Sequence, residues 1–408
     1  MKTTIILFGL MLFFSPCVAQ VAGYPDFEIV ESTPIETILD NPDIRNARQV
    51  WVDMIDGAHS RLDFEEFYIS NQPGEQLEDV LRAIFRAADR GVKVRFIVDA
   101  GMYRTYPEMV DSLGRFHNIS SRVINYRKLA GGIQHSKYFT VDGREAFIGS
   151  QNFDWRALNQ IHELGVRIAN KEAVDVYQDL FELDWKLAEH NDPEEIPKLL
   201  HHKTYPMPIH DVEGPGDTLT YLPTCSPLVL DPDTLLWDEP NIVKLIDGAR
   251  HDVMLQFLTY SPLVYGGGYY DVLNETLFRA ARRGVRVRLI VSDWEKSARQ
   301  VDQLKKIAAV SNIKVKFSSI PDLPGRYISY ARVEHCKYIV VDSTSCWIGS
   351  SNAEKSYLYN TRNIGVVVWN TKIAGLLQRI FLKDWNGPYT ELVRQDGHYL
   401  PREHGEQK

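Results

Sequence analysis

The sequence predicts an α/β protein built from two tandem halves that carry the same elements in the same order. The main observation is a motif that occurs over residues 135–152 and again over residues 335–352: H-x-K, four residues, D, six residues and G-S-x-N. A longer repeat supports it, since FRAADRGVKVRFIV at residues 85–98 returns as FRAARRGVRVRLIV at residues 278–291. We therefore expect a tandem duplication in which each half is a mixed, largely parallel sheet flanked by helices.

The N-terminal segment has the pattern of a secretory signal peptide over residues 1–19. Lys2 precedes an apolar run at residues 5–14, and Cys17-Val18-Ala19 supplies small residues at the cleavage site. The apolar run is shorter than the ~20 residues that a membrane span needs. We expect an exported protein that is secreted, periplasmic or lumenal, and an uncleaved anchor is the alternative.

The elements of the first half follow from apolar spacing. Residues 51–70 predict a helix and then a strand, and apolar residues at helical spacing over residues 77–88 predict a second helix. Gly91 ends this helix before a strand at residues 92–99. Strand, helix and strand in this order predict a parallel crossover, to which the motif strands are added. A long amphipathic helix is expected at residues 171–187.

The segment at residues 191–232 is expected to be an irregular linker because prolines recur throughout it. The predicted organisation is therefore a signal peptide at 1–19, an N-terminal half at 20–190, this linker, and a C-terminal half at 233–408.

Composition restricts the partners of the protein. The formal net charge is −8, so the chain has no general attraction for nucleic acid or anionic lipid, and recognition of phosphate must be local. Cys225, Cys336 and Cys346 remain after signal cleavage, and the odd count leaves at least one of them unpaired. A disulfide between Cys336 and Cys346 is not expected, because a hairpin between them would hold them ~17 Å apart. Metal-binding spacing is absent, so no metal or cofactor is expected.

The repeated motif places a histidine and a lysine together. Side chains of a strand alternate between its two faces, so the first and third residues of each motif project from the same face. A turn and a second strand then bring the G-S-x-N segment back toward the start of the motif. The residues concerned are His135, Lys137, Asp142, Ser150 and Asn152, and in the second copy His335, Lys337, Asp342, Ser350 and Asn352.

This double motif resembles the signature of the phospholipase D superfamily of phosphodiesterases. GSQNFDWRALNQIHELGV at residues 149–166 and YARVEHCKY at residues 330–338 are similar to the animal lysosomal 5′ exonuclease branch, which has poxvirus envelope relatives. The resemblance covers the chain from about Trp51 to Trp385. It implies two phospholipase D-type domains, related by a pseudo-twofold axis, with one shared active site at their interface.

The resemblance also implies the catalytic roles. Covalent cleavage of a phosphodiester needs a neutral nucleophile and an acid in line on the opposite side. We expect His135 to form a phosphohistidine and His335 to protonate the leaving group. In the family a carboxylate lies 28 residues after the histidine, where this chain has Glu163 in the first half and Asn363 in the second. Glu163 is therefore expected to orient His135, and the opposite assignment of the two histidines stays open.

The other motif residues are expected to bind or support the phosphate. Charge and amide donors belong around its non-bridging oxygens. We expect these donors to be Lys137, Lys337, Asn152 and Asn352, with hydroxyl contacts from Ser150 and Ser350. Asp142 and Asp342 are expected to support the site or to cap turns, not to carry protons.

The motif does not distinguish nucleic acid from phospholipid, since both present a phosphodiester. The family branch favours single-stranded nucleic acid, cleaved by an exonuclease. The alternatives are a phospholipase D or phosphatidyltransferase, and an inactive membrane- or envelope-associated module, although every motif position is intact. Peripheral membrane contact and oligomeric state stay open. Loops expected to select the substrate are Asn71 to Glu75, Tyr265 to Tyr270 and Pro321 to Tyr330, and candidate stacking residues are Tyr68, Trp155, Tyr260 and Tyr357.

Overall fold

A computed structural model describes residues 23–214 and 217–405 of the chain. The predicted signal peptide lies outside these residues. In the part of the chain that is described, no helix combines the length and the apolar character that crossing a bilayer requires.

The first half contains a sheet and the helices that flank it. Its strands are β1 (Gly23–Tyr24), β2 (Phe27–Ser32), β3 (Arg61–Glu66), β4 (Ile69–Ser70), β5 (Lys93–Asp99), β6 (Ile119–Ile124), β7 (Lys137–Val141), β8 (Glu145–Gly149), β9 (Phe153–Asp154) and β10 (Glu163–Ile168). Its helices are α1 (Ala47–Asp56), α2 (Leu77–Asp89), α3 (Ala100–Tyr103), α4 (Glu108–Leu113), α5 (Tyr126–Leu129), α6 (Trp155–Asn159) and α7 (Lys171–His190), with α8 (Ile196–Leu199) after them. In the described residues the main sheet has the order β1-β2-β10-β8-β7-β3-β5-β6.

The second half repeats this arrangement. Its strands are β11 (Ile209–Gly214), β12 (Asp217–Ser226), β13 (Asp252–Phe257), β14 (Tyr260–Ser261), β15 (Arg286–Ser292), β16 (Ile313–Ser318), β17 (Tyr338–Val341), β18 (Ser345–Gly349), β19 (Ala353–Glu354), β20 (Asn363–Trp369) and β21 (Thr390–Leu392). Its helices are α9 (Asp238–Asp247), α10 (Val272–Arg282), α11 (Ala298–Ala308), α12 (Lys355–Tyr359) and α13 (Thr371–Asn386). Over the described residues its main sheet has the order β11-β12-β20-β18-β17-β13-β15-β16-β21.

The α/β class and the mixed sheets are confirmed, but the sheets are not largely parallel. In the first sheet β3, β5 and β6 pair in parallel, and in the second sheet β13, β15 and β16 do so. The other neighbours in both main sheets are antiparallel. The reason is the motif itself, because β7 and β8, like β17 and β18, are joined by a short turn, and a short turn permits only antiparallel pairing.

The expected linker is shorter than its prolines predict, since β11 and β12 lie inside it and join the second sheet. Pro223 stands in β12, opposite Val366 of β20. It is tolerated because β11 pairs with β12 only from Asp217 to Tyr221, so within the described residues no strand pairs with that edge of β12 at Pro223. A proline without an N–H is acceptable at such an edge.

The two halves share a packed interface. The long helix α7 of the first half reaches the second, where the Tyr177 hydroxyl donates to the Gly365 carbonyl oxygen of β20 at 3.0 Å. Tyr177 is fully buried in an apolar core that contains residues of both halves. This interface brings the two motif faces together.

Candidate active site

The segment before β7 crosses from the first half to the second. Gln134 forms a parallel bridge with Arg362, the His135 N–H donates to the Arg362 carbonyl at 3.0 Å, and the Arg362 N–H donates to the Ile133 carbonyl at 3.0 Å. The main chain of His135 is therefore held by the residue immediately before β20 of the other half.

The segment before β17 makes the reciprocal crossing. Glu334 forms a parallel bridge with His162, the His335 N–H donates to the His162 carbonyl at 2.9 Å, and the His162 N–H donates to the Val333 carbonyl at 3.1 Å. The residue immediately before β10 therefore holds the main chain of His335. The two crossings place both histidines, and the lysines two positions later, at one interface.

The histidine side chains exchange partners between the halves. The Nδ1 atom of His135 lies 3.0 Å from Oδ1 of Asn363, and Nδ1 of His335 lies 2.7 Å from Oε2 of Glu163. The expectation that Glu163 orients His135 is wrong. The crossed main chains explain the difference, because residue 162 pairs with residue 334 and the following residues, Glu163 and His335, are then neighbours.

Asn363 is fixed in orientation. Its Nδ2 donates to the Tyr357 carbonyl at 2.9 Å, and its Oδ1 accepts from the Ser350 hydroxyl at 3.0 Å. The oxygen therefore faces His135, whose Nδ1 must carry the proton. Nε2 of His135 is left as the nitrogen with a lone pair.

Each motif lysine bonds to the main chain of its own motif. The ammonium groups of Lys137 and Lys337 donate to the carbonyls of His135 and His335, respectively. Lys137 also lies over the ring of Phe67, with Nζ 4.9 Å from the ring centroid. Both lysines are buried, with 1% and 0% of their surface exposed, and such complete burial is rare for lysine.

Burial and mutual repulsion discourage positive charge at these four groups. Burial, followed by the charges of Lys137 and Lys337, lowers the pKa of His135 well below its ordinary value. Burial and the same two lysines lower the pKa of His335 in the same way. Burial, with repulsion from Lys337, lowers the pKa of Lys137 well below its ordinary value, and burial lowers the pKa of Lys337 to about 7. An anion bound among these groups would raise all four pKa values again.

Two buried carboxyl groups lie beside the basic cluster. Burial raises the pKa of Glu163 well above its ordinary value, although Lys337 opposes the shift. Glu66, which sequence reasoning missed, is paired with Lys137 in the register of β3 and β7. Burial raises the pKa of Glu66 well above its ordinary value, although Lys137 opposes the shift. The available signal was an acidic pair, Glu65-Glu66, at the end of a strand that is otherwise almost fully buried.

Asn152 and Asn352 are buried near the ends of the motifs. Among the described residues, the amide oxygens of both have no hydrogen-bond partner. Rotation of either amide by half a turn would place an N–H donor at the same point, so both side chains are available to a bound oxyanion.

Ser150 and Ser350 bond inward and not toward a phosphate. The Ser150 hydroxyl donates to the Leu164 carbonyl at 3.1 Å and accepts from the Leu164 N–H at 2.9 Å. The Ser350 hydroxyl donates to Asn363 and accepts from the Ile364 N–H at 3.1 Å. The expected hydroxyl contacts with phosphate are therefore not supported, since these hydroxyls connect the motif to the neighbouring strand.

Asp142 and Asp342 are structural and lie at the far end of the motif strands. Asp142 accepts hydrogen bonds from the N–H groups of His59, Ser60 and Arg61 at 2.7 to 2.9 Å. Burial alone would raise the pKa of Asp142, but a hydrogen bond from the Ser60 hydroxyl, together with those from the three N–H groups, outweighs it and holds the pKa below its ordinary value. Asp342 accepts from the N–H groups of residues 250–252 in the same way. Each aspartate lies seven positions after its histidine, or ~23 Å along an extended chain, which excludes a catalytic contact.

In the described part of the chain, aromatic rings contact the His135 imidazole but not that of His335. The centroids of Phe67 and Tyr357 lie 5.0 and 4.9 Å from that of the His135 ring. The equivalent positions beside His335 are Leu258 of the second half and Ala157 of the first half, and neither is aromatic. The asymmetry makes the His135 side suited to a flat group.

The exposure of the other aromatic residues decides which of them can stack on a base. Tyr68 stacks on Tyr106, with centroids 5.1 Å apart, and both are half-buried. Trp155 and Tyr260 belong to the core, with 7% and 2% of their surface exposed, so they are not stacking platforms. Of the expected candidates, Tyr68 and Tyr357 remain.

One group of potential metal-ligating atoms occurs in the described residues, formed by His162, Glu334 and Cys336 within 4.8 Å of one another. Both ring nitrogens of His162 are already hydrogen bonded to carboxylates. Neither nitrogen has a lone pair free for a metal, so we assign no metal to this group.

Known proteins resemble this chain in sequence and in fold. A family model described as "Cardiolipin synthase, PLD-like domain" matches residues 51–185 and 242–385. The "5'-3' exonuclease PLD3" of Bos taurus is 31% identical over 410 residues, which cover 90% of this chain and 81% of that protein. "Phospholipase D Z" of Dictyostelium discoideum is 29% identical over 386 residues, covering 89% and 90%.

A solved structure supports the fold. The phosphatidylserine synthase of Haemophilus influenzae matches with a TM-score of 0.60 at 15% sequence identity, covering 85% of this chain and 84% of that one. At this identity the likeness concerns the fold alone. Two matched segments, one in each half, and relatives that align along nearly the whole chain show that the protein belongs to the phospholipase D (PLD-like) family of phosphodiesterases.

Proposed function

We propose that the protein is an exported exonuclease that hydrolyses single-stranded nucleic acid through a phosphohistidine on His135. The observation that carries the proposal is the reciprocal crossing. It places two histidines beside two buried lysines and gives the Nδ1 atom of each histidine a hydrogen-bond partner from the other half. In both rings Nε2 is the nitrogen left for chemistry. The predicted signal peptide supports export.

The partners of the two histidines support their different roles. A neutral amide oxygen behind His135 keeps its ring neutral with a lone pair on Nε2, as a nucleophile requires. A carboxyl group behind His335 favours the imidazolium, as a general acid requires. This order of roles is the one predicted from the sequence, but it rests on the opposite partners.

The substrate phosphate completes the electrostatics. Its charge raises the pKa of Lys337 from about 7, so the lysine becomes charged when the phosphate enters. The charged lysines then favour the ionised form of Glu163, which stabilises protonated His335. Attack by Nε2 of His135 breaks the bond from phosphorus to the leaving oxygen, and His335 donates its proton to that oxygen. Water activated by the now neutral His335 releases the phosphoryl group from His135.

The aromatic rings on the His135 side favour a nucleotide over a lipid head group. Tyr68, Tyr106, Phe67 and Tyr357 offer faces or edges to a base, and stacking on such rings does not depend on sequence. The relative named a 5'-3' exonuclease supports this reading. The second candidate is a phospholipase D, which the match to the Dictyostelium discoideum protein supports.

The test is cleavage of a 3′-labelled single-stranded oligonucleotide with a free 5′ hydroxyl, in EDTA. We expect stepwise shortening by the wild type, none by His135→Ala, and normal activity in His201→Ala, a matched control at an exposed histidine. An intact oligonucleotide together with hydrolysis of phosphatidylcholine vesicles would replace the nuclease with the phospholipase.

A second substrate assigns the two histidines. A p-nitrophenyl phosphodiester has a leaving group that departs without a proton, so loss of the acid affects its first step little. We expect His335→Ala to release one equivalent of nitrophenol and to accumulate phosphohistidine, and His135→Ala to release none. The reverse result would make His335 the nucleophile.

A further inference from the structure

Two buried basic residues occupy equivalent positions in the two crossings, and they differ in chemistry. Arg362 immediately precedes Asn363, the partner of His135, and His162 immediately precedes Glu163, the partner of His335. Both side chains are fully buried. One is permanently charged and the other can lose its proton.

Arg362 forms an ion pair across the interface. Its Nε lies 2.7 Å and its Nη2 3.0 Å from the two carboxylate oxygens of Asp184 in α7. Its Nε also donates to the Tyr126 hydroxyl at 2.7 Å. The segment before β7, which carries His135, is therefore held by Arg362, whose charge does not titrate.

His162 lies among three buried carboxyl groups. Its Nδ1 lies 2.8 Å from Glu334 Oε2 and its Nε2 lies 3.0 Å from Glu31 Oε1. Asp384 of α13, equivalent to Asp184, approaches Nδ1 at 3.6 Å. A neutral imidazole has a single N–H, so only the imidazolium donates to both carboxylates at once.

The His162 cluster lies directly behind His335. The His162 carbonyl accepts the His335 N–H, and Glu334 is the residue before His335. The residue after His162 is Glu163, whose side chain accepts from His335. Any movement of His162 therefore displaces both the main chain and the hydrogen-bond partner of His335.

We propose that His162 is a positioning residue that holds His335 in place only while its ring is doubly protonated. The half of the site that contains His335 then assembles by proton uptake, whereas Arg362 holds the half that contains His135 at any pH. The catalytic consequence rests on the role proposed above for His335. The protonation itself does not depend on that role.

The surroundings of the ring set the direction of the pH dependence. The titratable groups that face it are Glu31 of β2, Glu334 and Cys336 before β17, and Asp384 of α13. Burial lowers the pKa of His162, but Cys336, Glu334 and Asp384 raise it, and the pKa lies well above its ordinary value. A raised folded-state pKa means that the contribution of His162 is complete below about pH 6.5 and is lost as pH rises through the folded pKa.

The first test measures the unfolding temperature from about pH 6 to pH 10 and uses no activity. We expect His162→Gln to unfold at a lower temperature than the wild type at about pH 6 and to approach it at high pH. His162→Arg, which keeps its charge at every pH used, should flatten the wild-type decline, and the exposed control His201→Gln should follow the wild type. Parallel curves for the wild type and His162→Gln would overturn the proposal.

The second test compares leaving groups. We expect His162→Gln to lower kcat on the oligonucleotide by ~10- to 100-fold, as a displacement of ~1 Å does, and to leave the p-nitrophenyl burst unchanged. An equal loss on both substrates would indicate a merely structural role. If the substitution prevents folding, ring nitrogen chemical shifts of wild-type His162 above pH 7 decide the matter, because a single protonated nitrogen there contradicts the proposal.

The two tests separate two kinds of failure. If His135→Ala retains nuclease activity, the proposed function fails while the unfolding curves still report on His162. If the unfolding curves are parallel, the role of His162 fails while the catalytic assignment stands.

Discussion

The buried lysine pair leads to a measurable prediction, because an anion should bind more tightly when Lys337 is charged. Burial places the pKa of Lys337 at about 7. Roughly nine in ten Lys337 side chains are then charged at about pH 6, and roughly one in a hundred at about pH 9. If sulfate binds only the charged form, its affinity should fall by about 90-fold over this range.

Sulfate is a suitable probe because it remains a dianion throughout the range. Calorimetric titration in two buffers of different ionisation enthalpy gives both the affinity and the protons taken up. We expect the affinity to decline as pH rises through about 7 and about one proton to be taken up per sulfate near pH 8. The direction follows from a lysine whose pKa is low in the free protein and higher beside the anion.

The matched variant is Lys337→Arg, since arginine keeps its charge at every pH used. It should bind sulfate at about pH 9 nearly as well as at about pH 6, and any remaining decline would report the titration of Lys137. The reasoning is refuted if the wild type binds equally well at both pH values. It is also refuted if Lys337→Arg shows the full wild-type decline.

Two further predictions concern residues away from the reacting atoms. Asp142→Ala should lower the free energy of unfolding by about 2 to 3 kcal/mol, because it leaves three main-chain N–H groups without their charged acceptor. Asp342→Ala should cost about as much, and chemical denaturation measures both; a large fall in kcat at unchanged stability would instead return the aspartates to catalysis. Tyr68→Ala should raise KM for an oligonucleotide by ~5- to 150-fold, which corresponds to the ~1 to 3 kcal/mol that one stacked base contributes to binding. Its kinetics on the p-nitrophenyl ester should not change. The control is Trp369→Ala, an exposed aromatic residue outside the loops expected to select the substrate, and an unchanged KM in Tyr68→Ala would remove the stacking role.

Periodicity predicted the helices of the fold well and the strand directions less well. The helix expected at residues 171–187 is α7, and the helix expected before Gly91 is α2, which ends where Gly91 adopts a positive φ of 94°. Apolar spacing does not record which neighbour a strand chooses, so the antiparallel majority was missed. Counting prolines missed β12 because a proline is excluded only where both edges of a strand are paired.

In the candidate site, the motif predicted which side chains meet but not how they pair. His135, Lys137, His335 and Lys337 lie together as the repeat indicated, and their chemical roles stay predictions. The partner of each histidine depends on which half the preceding segment crosses into, and no spacing within a half contains that information. Glu66 and His162 were missed for the same reason, since each acts on a residue of another strand.

Twofold symmetry explains why a wrong partner predicted for His135 also meant a wrong partner for His335. In an interface between equivalent halves, a contact between residue i of one half and residue j of the other implies the reciprocal contact. Asn363 beside His135 therefore requires Glu163 beside His335. Duplication then allows the two equivalent contacts to acquire different residues, and here they differ at two positions. The partner of His135 is the amide of Asn363, whereas the partner of His335 is the carboxyl group of Glu163. The residue before this partner is Arg362 in the first case and His162 in the second. A symmetric frame thus places different partners behind the two imidazoles, and on this difference rest the proposed roles of His135 as nucleophile and His335 as acid.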